Sequence, residues 1–351
     1  QFIPPASPVP PPAPAPSLTP QPSPWAEGPQ APRAADDLDY RHLGSRVHVA
    51  AHQRGADAAA VGRLVVHLPG FGVSFLLVAS LSLGIMGNVG WLVILGWLAS
   101  GALVFHRPTE LAFARHVLGL RTPLVEERSR LEPVWREVTA RAGIEARTYE
   151  LMVENSNDLN AMAAAGHVVG VTTYSLNSLP SSKLGAVLAH ELGHHIGGHS
   201  WAGLLGHWYS LPGRLVWNLA RRVTRGVLSH TRRVSLLATG MILFCLGGYA
   251  LVIVASLWFV VIPLMAAPYV LAFLGRRAEL RADQQAAALG FAPMLTEVLH
   301  DMEAQEAAER AHAVATGRKV PRPGRLALLL SNHPDHYARL RALEPHLTVP
   351  R

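Results

Sequence analysis

Two long apolar stretches organise the chain. The first runs from Phe71 to Phe105 and the second from Val234 to Gly275, neither with a charged residue. As single straight helices they would measure about 52 and 63 Å, against a bilayer hydrocarbon core of roughly 30 Å. Each is therefore expected to fold back as a hairpin of two spans. In the first the break is expected near Gly87-Asn88, a single span plus an interfacial segment being the alternative. In the second, Gly247-Gly248 and Ser256 to Trp258 are both candidate turns, and Pro263 and Pro268 are placed to kink the returning span.

Polar segments surround these runs. Residues 1–36 are low-complexity and proline-rich, with 13 of the 27 prolines in the first 32 positions. A disordered or extended solvated tail is expected there, one that could also present polyproline ligands. No charged segment followed by an apolar core opens the chain, so no secretory signal peptide is read. Residues 37–70 are a polar N-terminal segment carrying Arg41, Arg46, Arg54 and Arg63. Residues 106–233 form a first polar block. It contains a charged helical stretch over about 124–143, strand patterns at Arg147 to Val153, Met162 to Ala164 and His167 to Thr173, and a turn-rich break from Asn155 to Leu159. Ser181 or Ser182 is expected to cap a helix over about 182–200. Trp201, Trp208, Tyr209 and Trp217 then alternate with Arg214, Arg221, Arg222, Arg225, Arg232 and Arg233, with no acidic residue between 201 and 233. That mixture can bind RNA, but beside a membrane segment it reads better as an interfacial helix on anionic lipid. Residues 276–351 form a second, mostly helical polar block.

Composition agrees with a membrane protein: 50% of residues are hydrophobic and 16% charged, against about 25% charged in an ordinary soluble domain. The formal net charge is +7. With both apolar runs as hairpins, every Arg and Lys falls on one side, the positive-inside arrangement, which places the polar blocks in the cytoplasm. The basic balance then requires no nucleic acid partner. The lone cysteine, Cys245, excludes an intramolecular disulfide and a cysteine-rich metal site, and reads as a small buried hydrophobe.

Candidate chemistry begins at residues 190–195, HELGHH. His190 and His194 are four apart and project from one helical face, so both imidazoles can reach one metal ion. Glu191 stands beside them, placed to act as a general base without being a ligand. Zinc so held lowers the pKa of a coordinated water to about 7. A catalytic zinc takes a third protein ligand. The pattern HExxHxxGxxH fails, since Ser200 stands where its last histidine would fall and His199 is one residue early. His195 and His199 are also four apart, but point roughly 100° away from His190 and His194, which suits polar positions near the site. A third possibility is Glu279 on a later helix, four residues before Asp283; Asp283 would accept a hydrogen bond from a ligand histidine. A plain charged helix start flanked by Arg276, Arg277 and Arg281 is the alternative there.

The order of these elements resembles the HtpX-type membrane metalloproteases, relatives of the type I CaaX prenyl proteases. The similarity covers about 148–340: HExGHxxxxH over His190 to His199, ExxxD at Glu279 to Asp283 followed by small residues at Ala286 to Gly290, Asn160-Ala161 before the strand His167 to Thr173, and His333-Pro334 with Arg339. Lys183 stands where the family commonly has an acidic residue. The resemblance implies a mainly α fold with a small β-sheet: a gluzincin-like zinc protease domain, its parts at 106–233 and 276–351, joined to transmembrane hairpins at 71–105 and 234–275. Four transmembrane helices are implied, or three if the first run crosses once. It implies one Zn2+ per chain on His190, His194 and Glu279, Glu191 as base, and Asp283 behind the ligands. His333 and Arg339 would lie near the site, steadying an oxyanion or the substrate, or Arg339 would pair with Asp283 or Glu191. Asn160, Ala161, Val169 and Val171 would receive an extended peptide, the strand at 167–173 presenting an open edge. The expected activity is hydrolysis of membrane or membrane-proximal proteins in quality control, at a bacterial inner membrane, with protein substrates and the lipid bilayer as partners. A catalytically silent scaffold recruiting partners through the tail is the alternative. A transporter is disfavoured because the apolar runs carry no charge.

Overall fold

The computed structural model describes residues 58–164, 166–317, 331 and 334–347. The proline-rich tail, the polar stretch up to residue 57 and His333 lie outside the described residues.

The first helix, α1 (Ala58–Met86), begins well before the apolar run and carries Arg63 and His67. A 3-10 turn over Gly87–Val89 reverses the chain, and α2 (Gly90–Ser100) returns along α1 before a second 3-10 turn, Gly101–Phe105. Phe71 stacks on Trp97 at 5.7 Å, which fixes the two helices against each other. The break thus falls where Gly87-Asn88 predicts it. α3 (Arg107–His116) leads to β1 (Leu120–Arg121) and α4 (Val125–Ala142). Glu127 accepts from the Leu124 backbone N–H and pairs with Arg121, satisfying an otherwise orphaned helix donor.

A four-stranded sheet follows, formed by β1, β2 (Glu150–Glu154), β3 (Ala161–Ala164) and β4 (Val168–Thr172) in the order β1-β2-β4-β3. β2 and β4 are parallel; the outer pairs are antiparallel. Side chains alternate across the strands. Val153, Val169 and Val171 enter the main core with Leu131, Val134, Trp135 and Val138 of α4. Leu120, Met152 and Val168 face the other way, onto Ala114 of α3. The sheet is therefore covered by α3 on one face and by the main core on the other.

α5 (Thr173–Ser178), capped by the Thr172 hydroxyl, leads to α6 (Ser181–Ile196). Pro180, not a serine, occupies the cap of α6, and no side chain caps it. Leu184, Leu188 and Leu192, spaced every fourth residue, are fully buried; each contributes about 1.5–3 kcal/mol of burial. α6 stops at Ile196, earlier than expected. Gly198 turns the chain in a left-handed conformation, and α7 (His199–Val234) begins.

α7 lies along α1 in the same direction: Gly203 faces Arg63, and the Gly213 N–H donates to the Ser74 hydroxyl. Arg214 therefore stands beside Ser74, and the arginines beyond it continue onward. The expectation that every Arg and Lys gathers on one side is not met along this helix. α8 (Leu236–Ser256) and α9 (Trp258–Ala288) meet at Leu257, the second of the two candidate turns; Gly247-Gly248 is ordinary helix. α10 (Ala292–Ala315) and α11 (His336–Leu347) complete the described chain.

Among the described residues, three helical segments are long and apolar enough to cross a membrane: Ala60–Phe105, which includes the fold-back, Leu236–Ser256 and Trp258–Ala288. Their side chains face outward, Ile85 at 80%, Phe244 at 81% and Leu237 at 88% exposure, so among the described residues no layer covers them and lipid is their natural neighbour. Cys245, expected as a buried hydrophobe, is exposed on α8 among them.

Candidate metal centre

α6 and α9 build the site by crossing closely. A Cβ on Gly193 would come within 2.9 Å of the Ala282 Cα, so only glycine allows this approach. The crossing brings Glu279 and Asp283, one turn apart on α9, against His190 and His194, one turn apart on α6. His190 Nε2 lies 3.5 Å and His194 Nε2 3.4 Å from the Glu279 carboxylate oxygens. The imidazole rings are perpendicular, with centroids 4.9 Å apart. One donor atom from each of the three residues lies within 4.8 Å of the others. A tetrahedral ion with bonds of about 2.0–2.1 Å holds its donors roughly 3.3–3.4 Å apart. Two imidazoles and a carboxylate are a donor set suited to zinc, and each imidazole stands from a Glu279 oxygen at close to that separation.

Asp283 is completely buried behind this group. Its Oδ1 accepts from His190 Nδ1 at 2.8 Å, which leaves Nε2 as the unprotonated atom turned towards Glu279. Arg339, from α11, grips the same carboxylate with two hydrogen bonds, Nε to Oδ2 at 2.8 Å and Nη2 to Oδ1 at 2.6 Å. Arg339 Nη2 also lies 3.4 Å from His190 Nδ1, where both nitrogens aim their protons at Asp283. Without a cation, burial works against a charged His190, but the carboxylates of Asp283 and Glu279 outweigh it and push its pKa up to about 10, so a bound cation would take the place of the Nε2 proton. The same preference for positive charge favours a divalent cation there.

The metal group opens into a cleft of about 420 Å³. Glu191 lines it beside the two histidines, and Arg339 lines it from α11. One wall is Asn160 to Ala163, the edge strand β3 and the residue before it. Val187 of α6 and Leu295, Leu299 and Met302 of α10 also line it. Arg63 of α1 and Gly275 of α9 also contribute, so two of the apolar segments reach the cleft.

The structure thus brings Glu191, His190, His194, Glu279, Asp283, Arg339, Asn160 and Ala161 together. Val169 and Val171 are a correction: β4 is paired on both sides, by β2 and β3, and both valines are buried in the main core. The open edge belongs to β3. His195 also differs from its expected role as a polar neighbour of the site. It is buried, its Nε2 donates to the Val168 carbonyl at 2.9 Å, and burial holds its pKa down to about 3, so it is a neutral tie between α6 and the sheet. Two contributors escape a reading of motifs. Arg63 is the single Lys or Arg of α1, and Leu295, Leu299 and Met302 recur at helical spacing in an otherwise charged stretch, a pattern that marks a covered face.

A mainly helical chain with three apolar helices and a buried His-His-Glu group is of the membrane metalloprotease class. The chain belongs to Peptidase family M48, whose profile matches residues 126–346. Among solved structures, the crystal structure of S. mikatae Ste24p is similar at 14% sequence identity, covering 78% of this chain and 80% of that one, with a TM-score of 0.28. No curated protein matches the chain.

Proposed function

We propose that this protein is a zinc-dependent endopeptidase of the HExxH, gluzincin type, with one Zn2+ held by His190, His194 and Glu279. The observation that carries the reading is the convergence of two imidazoles and a carboxylate with donor atoms within 4.8 Å of one another, and Glu191 in the cleft beside them. Zinc, when bound, supplies a Lewis acid that acidifies water and polarises the scissile carbonyl.

The chain's own residues do the rest. Asp283 fixes the His190 tautomer, and Arg339, with two of its three nitrogens committed to Asp283, holds that carboxylate in place. The Glu191 carboxylate takes a proton from the attacking water and returns it to the amide nitrogen as the C–N bond breaks. Asn160 to Ala163 offer main-chain donors and acceptors along the open edge of β3 to an extended substrate. His333, outside the described residues, is assigned a place near the oxyanion or the substrate on the resemblance alone, carried by His333-Pro334 and Arg339.

Because α1 and α9 both reach the cleft, the substrates are membrane or membrane-proximal proteins, and the resemblance to HtpX-type enzymes points to quality control. The protease domain is assembled from 106–233 and 276–351, around the apolar pair at 234–275. Arg63, Arg107, Arg276 and Arg277 flank the apolar segments at the cleft end, while the turns at Gly87–Val89 and Leu257 are uncharged. That asymmetry, which the α7 arginines beyond Arg214 do not share, supports a cleft on the cytoplasmic side of a bacterial inner membrane.

The test is Glu191→Gln in detergent-solubilised full-length protein. Zinc content should stay at one per chain while cleavage of casein or a peptide falls by about 10²–10⁴-fold, the usual worth of a general base. Undiminished cleavage would remove Glu191 from the mechanism.

A further inference from the structure

β3, the cleft's edge strand, is held at its turn by a residue that no motif marks. Glu110 lies in the first turn of α3, the first helix after the apolar hairpin, and is only 2% exposed. Its carboxylate oxygens accept from His167 Nδ1 at 3.3 and 3.2 Å. His167 sits immediately before β4, in the connection that joins β3 to β4. Gly166 makes the approach possible, since a Cβ there would come within 2.6 Å of Glu110 Oε1. On the other side of the same turn, the Val168 carbonyl accepts from His195, the neighbour of the metal-site residue His194. The Tyr149 ring is near both imidazoles, 6.2 Å from His167 and 4.9 Å from His195. α3 is itself pinned to the sheet end, because Arg107 donates to the Thr148 carbonyl at 2.6 Å.

A carboxylate buried against one imidazole is a poor source of stability, because desolvation offsets most of the attraction. What it does supply is direction: the half-exposed His167 is tied to one buried acceptor, which ties the turn to α3. β3 is short and, as an edge strand, has pairing on one side alone, so its position depends on that turn. An error of about 1 Å in a strand that must pair with a substrate costs about 10²-fold in rate.

We propose that Glu110 is a positioning residue of the peptidase, which, by holding His167, sets the edge strand β3 at the height of the metal centre so that an extended substrate pairs in register. This rests on the peptidase reading above. Glu110 touches neither substrate nor metal group; it acts through the β3–β4 turn, and links the helix that leaves the membrane segment to the wall of the cleft.

The experiment compares wild type, Glu110→Gln, His167→Gln and the double variant as full-length protein in detergent. It follows kcat and KM for a peptide of about ten residues, zinc content, and amide hydrogen exchange over β3 and α6. The expected result is a KM raised about tenfold in each single variant and no further in the double, with zinc unchanged. Exchange should quicken over Ala161–Ala164 but not over α6. Wild-type KM and wild-type exchange in both single variants would overturn the proposal. So would equal acceleration over β3 and α6 with loss of zinc, the signature of a merely structural residue. If the wild type cleaves no peptide, the peptidase reading fails by itself, and the exchange pattern over β3 still decides whether Glu110 holds the turn.

Discussion

At the scale of single residues, the site works by dividing labour among carboxylates that differ in what surrounds them. Glu279 meets both imidazoles, Asp283 is sealed behind one of them, and Glu191 is left facing the cleft. Asp283 is the position where geometry makes the sharpest demand. It accepts from His190 Nδ1 and binds Arg339 through both oxygens. Asp283→Asn removes the negative charge and sets an N–H donor against at least one donor nitrogen of Arg339 or His190. Zinc affinity in a competition titration with a chromogenic chelator should weaken about 10–100-fold, the usual effect of removing such a partner; unchanged affinity would show that Asp283 has no hold on the ligand. The two pairs were legible from spacing, but the choice of Glu279 as third ligand followed only from the family resemblance. HExxH puts two imidazoles on one face, and four residues separate Glu279 from Asp283 in the same way. The role of His195 was not legible, because its partner is a backbone carbonyl, which leaves no trace in a side-chain pattern. Val169 and Val171 were misassigned for a related reason: β4 reads as a strand, but whether a strand is central or at an edge depends on pairing order, which the alternation of residues does not encode.

At the scale of elements, the decisive event is the crossing of α6 and α9. The two helices are far apart in the chain, and their contact rests on Gly193, whose missing side chain lets the Ala282 backbone come close. Gly193→Ala should force the helices apart, destabilising the protein by about 1–3 kcal/mol as overpacked positions do. It should also lower zinc occupancy, because Glu279 moves with α9; thermal unfolding followed by circular dichroism, with metal analysis on the same sample, checks both. Normal zinc with normal stability would mean that the crossing has slack. Helix and strand positions themselves followed from periodicity: α4, β2, β3 and β4 lie close to where the patterns put them. The α6 boundary did not, since Gly198 adopts φ 72° and starts a new helix where continuous helix was expected. Nor was the direction of α7 readable. Its basic and aromatic composition suits an interface, but its first half is committed to α1 through small residues at Gly203 and Gly213, a packing choice that only the folded partner reveals.

At the scale of the whole molecule, two halves of a protease domain are separated in sequence by an apolar pair of helices and rejoined in space. On the proposed site, a bound metal is a cross-link between them, with two donors before the apolar pair and one after it. Chelation should therefore lower the unfolding temperature of the detergent-solubilised protein. Free zinc at a hundred times its dissociation constant stabilises by about 2.7 kcal/mol, which corresponds to a loss of several degrees on treatment with a chelator, restored by zinc. An unfolding temperature indifferent to chelator would mean that the halves hold together without the ion.

The central claim is that one zinc ion joins α6 to α9, and Glu279 is the sole donor α9 supplies to it. Zinc per chain, measured by mass spectrometry on purified full-length wild type and Glu279→Ala with helix content monitored in parallel, tests this most directly. The account predicts close to one zinc in the wild type and almost none in a folded Glu279→Ala. A folded variant that keeps its full zinc would contradict it.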